Sequence, residues 1–126
     1  MRILIADDNQ FVRRGIAQLL AQQEGWEVCA EASNSVETIA KTSELHPDLV
    51  LLDVSMPGAN GLETVRVLKQ KSPQTKILIV TQHDPKCMLP HSLEMGASGC
   101  VDKARLAIDL LPAIIALQNT SSLRAK

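Results

Sequence analysis

Residues 46–63 constrain this chain more than any other stretch: His-Pro-Asp-Leu-Val-Leu-Leu-Asp-Val-Ser-Met-Pro-Gly-Ala-Asn-Gly-Leu-Glu. Residues 49–52 are apolar without alternation, the pattern of a strand covered on both faces in a parallel sheet. They deliver Asp53 to the strand's carboxyl end, where open α/β sheets place their ligands. Pro57-Gly58 suits the central positions of a tight turn, because Pro presets one φ and Gly accepts the positive one. Asn60 is placed to cap a helix outlined by Leu62, Val65 and Leu68. Standing alone, Asp53 could equally be an ordinary turn residue.

The flanking segments repeat this strand-then-helix rhythm. Residues 3–6 read as a buried strand ending in Asp7-Asp8-Asn9, followed by a helix with Val12, Ile16, Leu19 and Leu20 on one face, closing near Gly25. Residues 26–30 read as a second strand. Asn34 or Ser35 can cap a second helix carrying Val36, Ile39 and Ala40, which must end before Pro47. Ser72-Pro73 breaks the chain, and residues 77–80 make a fourth buried strand ending at Thr81. Asp84-Pro85 looks like a cap with proline at the first helical position, but Pro90 then falls inside that helix and removes a hydrogen bond. Gly96 and Gly99 bracket a short fifth strand, 98–101, with Lys103 just past it. Residues 106–117 form the last helix. One domain is expected over residues 1–118, with 119–126 a polar tail or the start of a linker to a further domain.

Five strands alternating with five helices predict an α/β fold: a flavodoxin-like, doubly wound, five-stranded parallel sheet in the order 2-1-3-4-5, with helices on both faces. That order has a consequence. The carboxyl ends of strands 1, 3, 4 and 5 carry Asp7-Asp8, Asp53, Thr81 and Lys103, whereas Glu31-Ala32-Ser33 ends the edge strand farther away. Each group has a bland explanation: Asp8 and Asn9 as helix caps, Thr81 bonding a loop amide, Lys103 as a solvated charge. Together they compete poorly with convergence, since four accidents would have to fall at four adjacent strand ends. Three carboxylates in one crevice repel unless a cation sits among them, and Mg²⁺, which needs few protein ligands, meets that need. Lys103 supplies a point charge suited to phosphate and Thr81 a hydroxyl donor. Carboxylate nucleophile, Mg²⁺, hydroxyl and lysine are the parts needed to transfer a phosphoryl group onto an aspartate.

Composition removes other classes. With 13 basic and 14 acidic residues, no basic footprint points to nucleic acid. Only Phe11 and Trp26 are aromatic, so the core must be aliphatic. Three cysteines without a Cys-x-x-Cys pair fit unpaired thiols in a reducing compartment. No apolar span reaches the ~18 residues a membrane helix needs, and the expectation is a cytoplasmic domain with no membrane contact.

The chain resembles the receiver domain of bacterial two-component response regulators from Met1 to about Leu117, most like receivers that precede a LuxR-type helix-turn-helix output domain. The residues that carry the resemblance are the Leu-Val-Leu-Leu-Asp-Val-Ser-Met-Pro-Gly-Ala-Asn-Gly-Leu-Glu stretch, Asp7-Asp8, Thr81 and Gly-Ala-Ser-Gly-x-x-x-Lys. The resemblance implies a phosphorylation-dependent switch rather than an enzyme, with Asp53 accepting a phosphoryl group from a sensor histidine kinase. It implies that Asp8, Asp53 and the backbone carbonyl of Ser55 bind Mg²⁺, Asp7 doing so through water, and that Thr81 and Lys103 hold the phosphoryl oxygens. The signal would pass through the fourth helix, fifth strand and last helix, and DNA would be reached only through an output domain beyond this chain.

The chain departs from that family's pattern in places that bear on signalling. Cys100 stands where receivers usually carry Tyr, Phe or His, a ring that moves with the threonine. Gln82 replaces a usually small residue, Ala104-Arg105 follow the lysine, and Pro90 and Pro112 lie where family helices run uninterrupted. The phosphorylation chemistry reads as complete and the transmission as altered, so the alternative is a degenerate receiver acting only through protein–protein contacts. A phosphatase of the haloacid dehalogenase type would need a second acid where Ser55 stands. An FMN binder would need a hydroxyl-rich phosphate loop where Asp7-Asp8 stand. Finally, on a helical wheel with Leu106 at 0°, the stripe of Leu110, Ala113, Ile114 and Leu117 faces the core. Ile108, Leu111 and Ile115 fall at about 200°, 140° and 180° and form a candidate surface for a homodimer or effector contact.

Overall fold

The strands form where the apolar runs lie, and their burial explains the absence of alternation. The computed structural model describes residues 1–56, 60–82 and 93–125, with side chains to residue 119. Five strands, β1 (Arg2–Ala6), β2 (Glu27–Ala32), β3 (Leu49–Asp53), β4 (Lys76–Thr81) and β5 (Gly99–Asp102), pair in parallel in the order β2-β1-β3-β4-β5. Among the described residues, α1 (Gln10–Leu20), α2 (Ser35–Leu45) and α3 (Gly61–Lys71) lie along the chain before a C-terminal helix, Leu106–Ala125. The sheet is the doubly wound one expected.

Every residue of β3 is buried, and successive side chains serve opposite cores. Leu49 and Leu51 join Ile3, Ile5, Leu78 and Val80 beneath α1 and the C-terminal helix, where Ile16, Leu20, Leu110 and Ile114 meet them. Val50 and Leu52 join Leu4, Ala6, Ile77 and Ile79 on the other face, against Val65 and Leu68 of α3. Both cores are aliphatic, as two aromatic residues require.

Asn9, Asn34 and Asn60 each cap the following helix with a side-chain oxygen: Asn9 accepts from Phe11 N and Val12 N, Asn34 from Glu37 N, and Asn60 from Leu62 N. Asn34, not Ser35, therefore opens α2. After α3, a 3₁₀ turn over Lys103–Arg105 leads from β5 into the C-terminal helix.

Several expectations need correction. Helix α1 ends at Leu20 rather than near Gly25, and β2 runs two residues past Ala30, so Glu31 and Ala32 belong to the strand. Val36 is 75% exposed and Ala40 is exposed, and α2 instead buries Ser35, Thr38 and Thr42. Short hydroxyl side chains can turn inward on a helix by bonding a carbonyl one turn back, as Thr38 Oγ1 does to Asn34 O at 2.7 Å. A reading by apolar spacing alone misses that face. The C-terminal helix passes through Pro112, which is exposed, and continues past Leu117 to Ala125. Leu111 is partly buried against the first core, on the flank of the inward stripe, and leaves the exposed side to Ile108 and Ile115. The Pro57-Gly58 turn, the Asp84-Pro85 cap and Pro90 lie outside the described residues.

Gly61, at the start of α3, has a role that spacing does not disclose. A Cβ there would lie 2.5 Å from both Val54 Cα and Val54 O. Those are backbone atoms that cannot step aside. Gly61→Ala is therefore expected to cost about 1–3 kcal/mol by overpacking, read as a lower urea midpoint at unchanged m-value. An unaltered midpoint would show that the loop after Asp53 yields freely.

Candidate functional site

The carboxyl ends of β1, β3, β4 and β5 open on one cleft of about 670 Å³, bordered by Asp8, Asn9, Arg13, Ser33, Ser55, Gln82 and Lys103. Strand β1 ends one residue before Asp7, and Asp7 N donates to Ala32 O of β2 at 3.0 Å, so the chain leaves the sheet with Asp7 still tied to it. Asp53 is the last residue of β3. Both side chains are only 1% exposed, while Asp8 stands at the mouth. Oxygens of Asp7, Asp8 and Asp53 lie within 4.8 Å of one another.

Lys103 reaches this cluster from just beyond β5. Its Nζ is 3.1 Å from Asp53 Oδ2 and 2.9 Å from Asp7 Oδ2. The contact with Asp53 is a hydrogen bond. The ammonium also forms an ion pair with Asp7 Oδ2, which takes no further hydrogen bond among the described residues. The other oxygen of Asp7 accepts Asn9 N at 2.9 Å. Asp53 Oδ1 accepts both Ser55 N at 2.9 Å and Ser55 Oγ at 2.7 Å.

These contacts separate the two buried acids. For Asp53, burial alone would raise the carboxyl pKa. The Ser55 hydroxyl and amide and the Lys103 ammonium together outweigh it, so the group is held below the usual carboxylate range. For Asp7, burial prevails over the Asn9 amide and Lys103, with Asp53 adding repulsion, and its pKa is raised. Burial opposes the Lys103 charge, but the two carboxylates override it and push the lysine's pKa up. The two buried acids are thus shifted in opposite directions, and Ser55 orients Asp53.

Three clustered carboxylates, two of them buried and sharing a single ammonium, fit a divalent cation that prefers oxygen and retains water. Asp7, Asp8 and Asp53 are the side chains that would hold it.

The remaining predicted groups fall as follows. Thr81 is buried at the end of β4, one step beyond Val80, which pairs with Asp53. Gln82 lies on the wall of the cleft. Cys100 pairs with Ile79 in β5 and packs against the second core, away from the acid cluster. Burial, then the charge of Asp102, pushes its thiol to about 11, so it stays protonated and weakly nucleophilic near neutrality. Two contributions were not among the groups expected from sequence. The Ser55 hydroxyl bonds Asp53, and Arg13 Nη1 donates to the Asp7 carbonyl at 2.6 Å. The first is visible as a serine two residues past the aspartate. The second has no local signal, because α1 must fold before Arg13 meets Asp7.

A family model described as the response regulator receiver domain matches residues 3–115. The transcriptional regulatory protein LnrK of Bacillus subtilis (strain 168) is 35% identical over 119 residues, covering 94% of this chain and 54% of that protein. The oxygen regulatory protein NreC of Staphylococcus epidermidis (strain ATCC 12228) is 43% identical over 104 residues, covering 82% of this chain and 48% of that protein. The chain thus spans about half the length of the curated relatives it matches. Among solved structures, a LuxR-family two-component response regulator from Aurantimonas sp. SI85-9A1 superposes with a TM-score of 0.86 at 35% identity, covering 92% of this chain and 83% of that one. The isolated receiver domain of RcsB from Salmonella enterica serovar Typhimurium, with the phosphomimetic BeF3⁻, gives 0.86 at 30%, covering 94% and 88%. Sheet order, acid cluster and these matches agree: the chain belongs to the response regulator receiver domain family, whose members are signalling domains of two-component systems.

Proposed function

We propose that this domain is a phosphorylation-dependent switch in which Asp53 accepts a phosphoryl group from a sensor histidine kinase. The observation that carries the reading is Asp53 itself: buried, held ionised, and facing Lys103 at 3.1 Å with two further acids beside it. A carboxylate oxygen of Asp53 attacks phosphorus. The bond to the donor's imidazole nitrogen breaks, and the imidazole departs with that electron pair. Ser55 fixes Oδ1 through two hydrogen bonds, which leaves Oδ2 toward the cleft as the nucleophile. Lys103 shifts from Oδ2 to a phosphoryl oxygen, and Thr81 contributes its hydroxyl to another. Mg²⁺ held by Asp8, Asp53 and the Ser55 carbonyl, with Asp7 acting through water, would supply charge neutralisation at the equatorial oxygens. The phosphorylated state then acts through the fourth helix, β5 and the C-terminal helix on an output domain outside this chain, in the cytoplasm and most simply on transcription. Cys100 fills core space without swinging, so the motion rests on the segment after Thr81. Acetyl phosphate with Mg²⁺, followed by intact-mass measurement, tests the reading: one added phosphoryl group is expected, and an unchanged mass refutes it.

An unchanged mass is what the second reading requires. That reading, a domain acting through protein contacts alone, is favoured by Cys100 standing in the core where a switching ring would be.

The contact surface we assign lies on the C-terminal helix. Ile108 is 64% and Ile115 39% exposed, side chains a soluble domain seldom leaves uncovered together on one face. Ile108→Glu and Ile115→Glu are expected to weaken self-association in the presence of beryllofluoride, read by sedimentation. If both variants and the wild type sediment alike as monomers with the mimic bound, the homodimer is excluded.

A further inference from the structure

Arg13 extends from the first turns of α1 to two acceptors on different elements. Its Nη1 donates to the Asp7 carbonyl at 2.6 Å and its Nε to Glu31 Oε1, near the end of β2, at 2.8 Å. The side chain is largely buried, and it borders the acid cleft. The carbonyl it holds is a particular one. Asp7 follows the last pairs of the β1 ladder, Ala6 with Ala32 and Ala6 with Leu52, so the regular sheet ends before that carbonyl. The same carbonyl belongs to the peptide that joins Asp7 to Asp8. Fixing it fixes the plane from which the Asp8 side chain departs. The Asp8 side chain is exposed, so the backbone at residues 7 and 8 fixes where its Cα–Cβ bond starts and which rotamers reach the other two acids.

We infer that Arg13 is a positioning residue for divalent-cation binding: by tying the Asp7 carbonyl to Glu31, it aims the Asp8 carboxylate at Asp7 and Asp53. The inference rests on reading that acid cluster as a cation site. A guanidinium beside such a cluster is unfavourable for a cation by charge alone. An arginine acting only as a charge would therefore tighten binding when removed, whereas a positioning arginine would weaken it. The two roles have opposite signs.

Calorimetric titration of the whole chain with Mg²⁺ decides between them, with thermal unfolding in the absence of metal reporting the fold. Arg13→Ala and Arg13→Gln are expected to weaken Mg²⁺ binding about tenfold or more, as loss of groups that orient metal ligands does elsewhere. Arg13→Lys, which keeps the charge but not the two-pronged head, is expected to recover part of the affinity. Either neutral variant binding Mg²⁺ as tightly as the wild type, or more tightly, while folded overturns the proposal. Should Arg13→Ala not fold, Arg13→Gln makes the same comparison. A wild type that takes up no Mg²⁺ would refute the cation site itself, whereas wild-type binding with unaffected variants refutes only the role of Arg13.

Discussion

Asp53→Asn is expected to abolish phosphoryl labelling while leaving the fold intact. The amide is neutral and no longer nucleophilic at oxygen, so the transfer loses its acceptor rather than a fraction of its rate. The alternatives within reach are poorer. Asp7 is buried, carries a raised pKa and has one oxygen engaged by Asn9. Asp8 is solvated at the mouth and, unlike Asp53, is not held by a pair of hydrogen bonds on one oxygen. Folding should survive because Lys103 retains Asp7 as a partner and the Asn oxygen can still accept from Ser55. Intact-mass measurement after acetyl phosphate and Mg²⁺ checks the labelling, and circular dichroism checks the fold. Labelling of Asp53→Asn at the wild-type rate would move the acceptor elsewhere.

Lys103→Met should cost the fold more stability than Gly61→Ala does. The lysine is 12% exposed and faces two carboxylates that are each 1% exposed. Removing it leaves like charges buried together, and breaking a buried pair in this way costs about 3–5 kcal/mol. The pH dependence follows from the same geometry. In the wild type the Asp53 carboxyl is depressed, so its stabilising contribution is present above the unfolded carboxylate value and lost as pH falls through the folded one. Asp7 is raised, so it favours the folded state at low pH, a contribution lost as pH rises through its folded pKa. Without Lys103, both carboxyls are expected to bind protons more tightly in the folded state than in the unfolded one. The variant's deficit should then be greatest near neutrality and shrink as pH falls toward about 5. Urea unfolding at several pH values measures it. A deficit that stays constant with pH would mean that lost packing, not unpaired charge, is responsible. Excess Mg²⁺ should narrow the deficit at neutral pH, because it restores positive charge among the acids.

Much of this molecule follows from local chemistry that needs no tertiary context. The unbroken run at residues 49–52, bounded by turn residues, reads as a strand buried on both faces, and the three asparagine caps act within three residues of themselves. Once the strands and helices alternate, right-handed crossovers leave few topologies, and the switch point collects Asp7, Asp8, Asp53 and Lys103. What the chain alone could not decide depends on distance in space. Thr38 and Thr42 could be recognised as the inward face of α2 only after the helix was packed on the sheet, where the Thr38 hydroxyl bonds Asn34 O. Leu111 sits between the buried and exposed sides of its helix, and only the packing of that helix sets it partly against the core. Gly61 needs Val54 folded back against it before the absence of a Cβ matters. The opposite fates of Asp7 and Asp53, identical residues at neighbouring strand ends, are likewise tertiary. Asp53 takes two hydrogen bonds on one oxygen and the lysine's hydrogen bond on the other, whereas Asp7 takes one backbone amide on one oxygen and the lysine's ion pair on the other. Residue type and spacing bring the carboxylates together, and the contacts available after folding shift their pKa values in opposite directions.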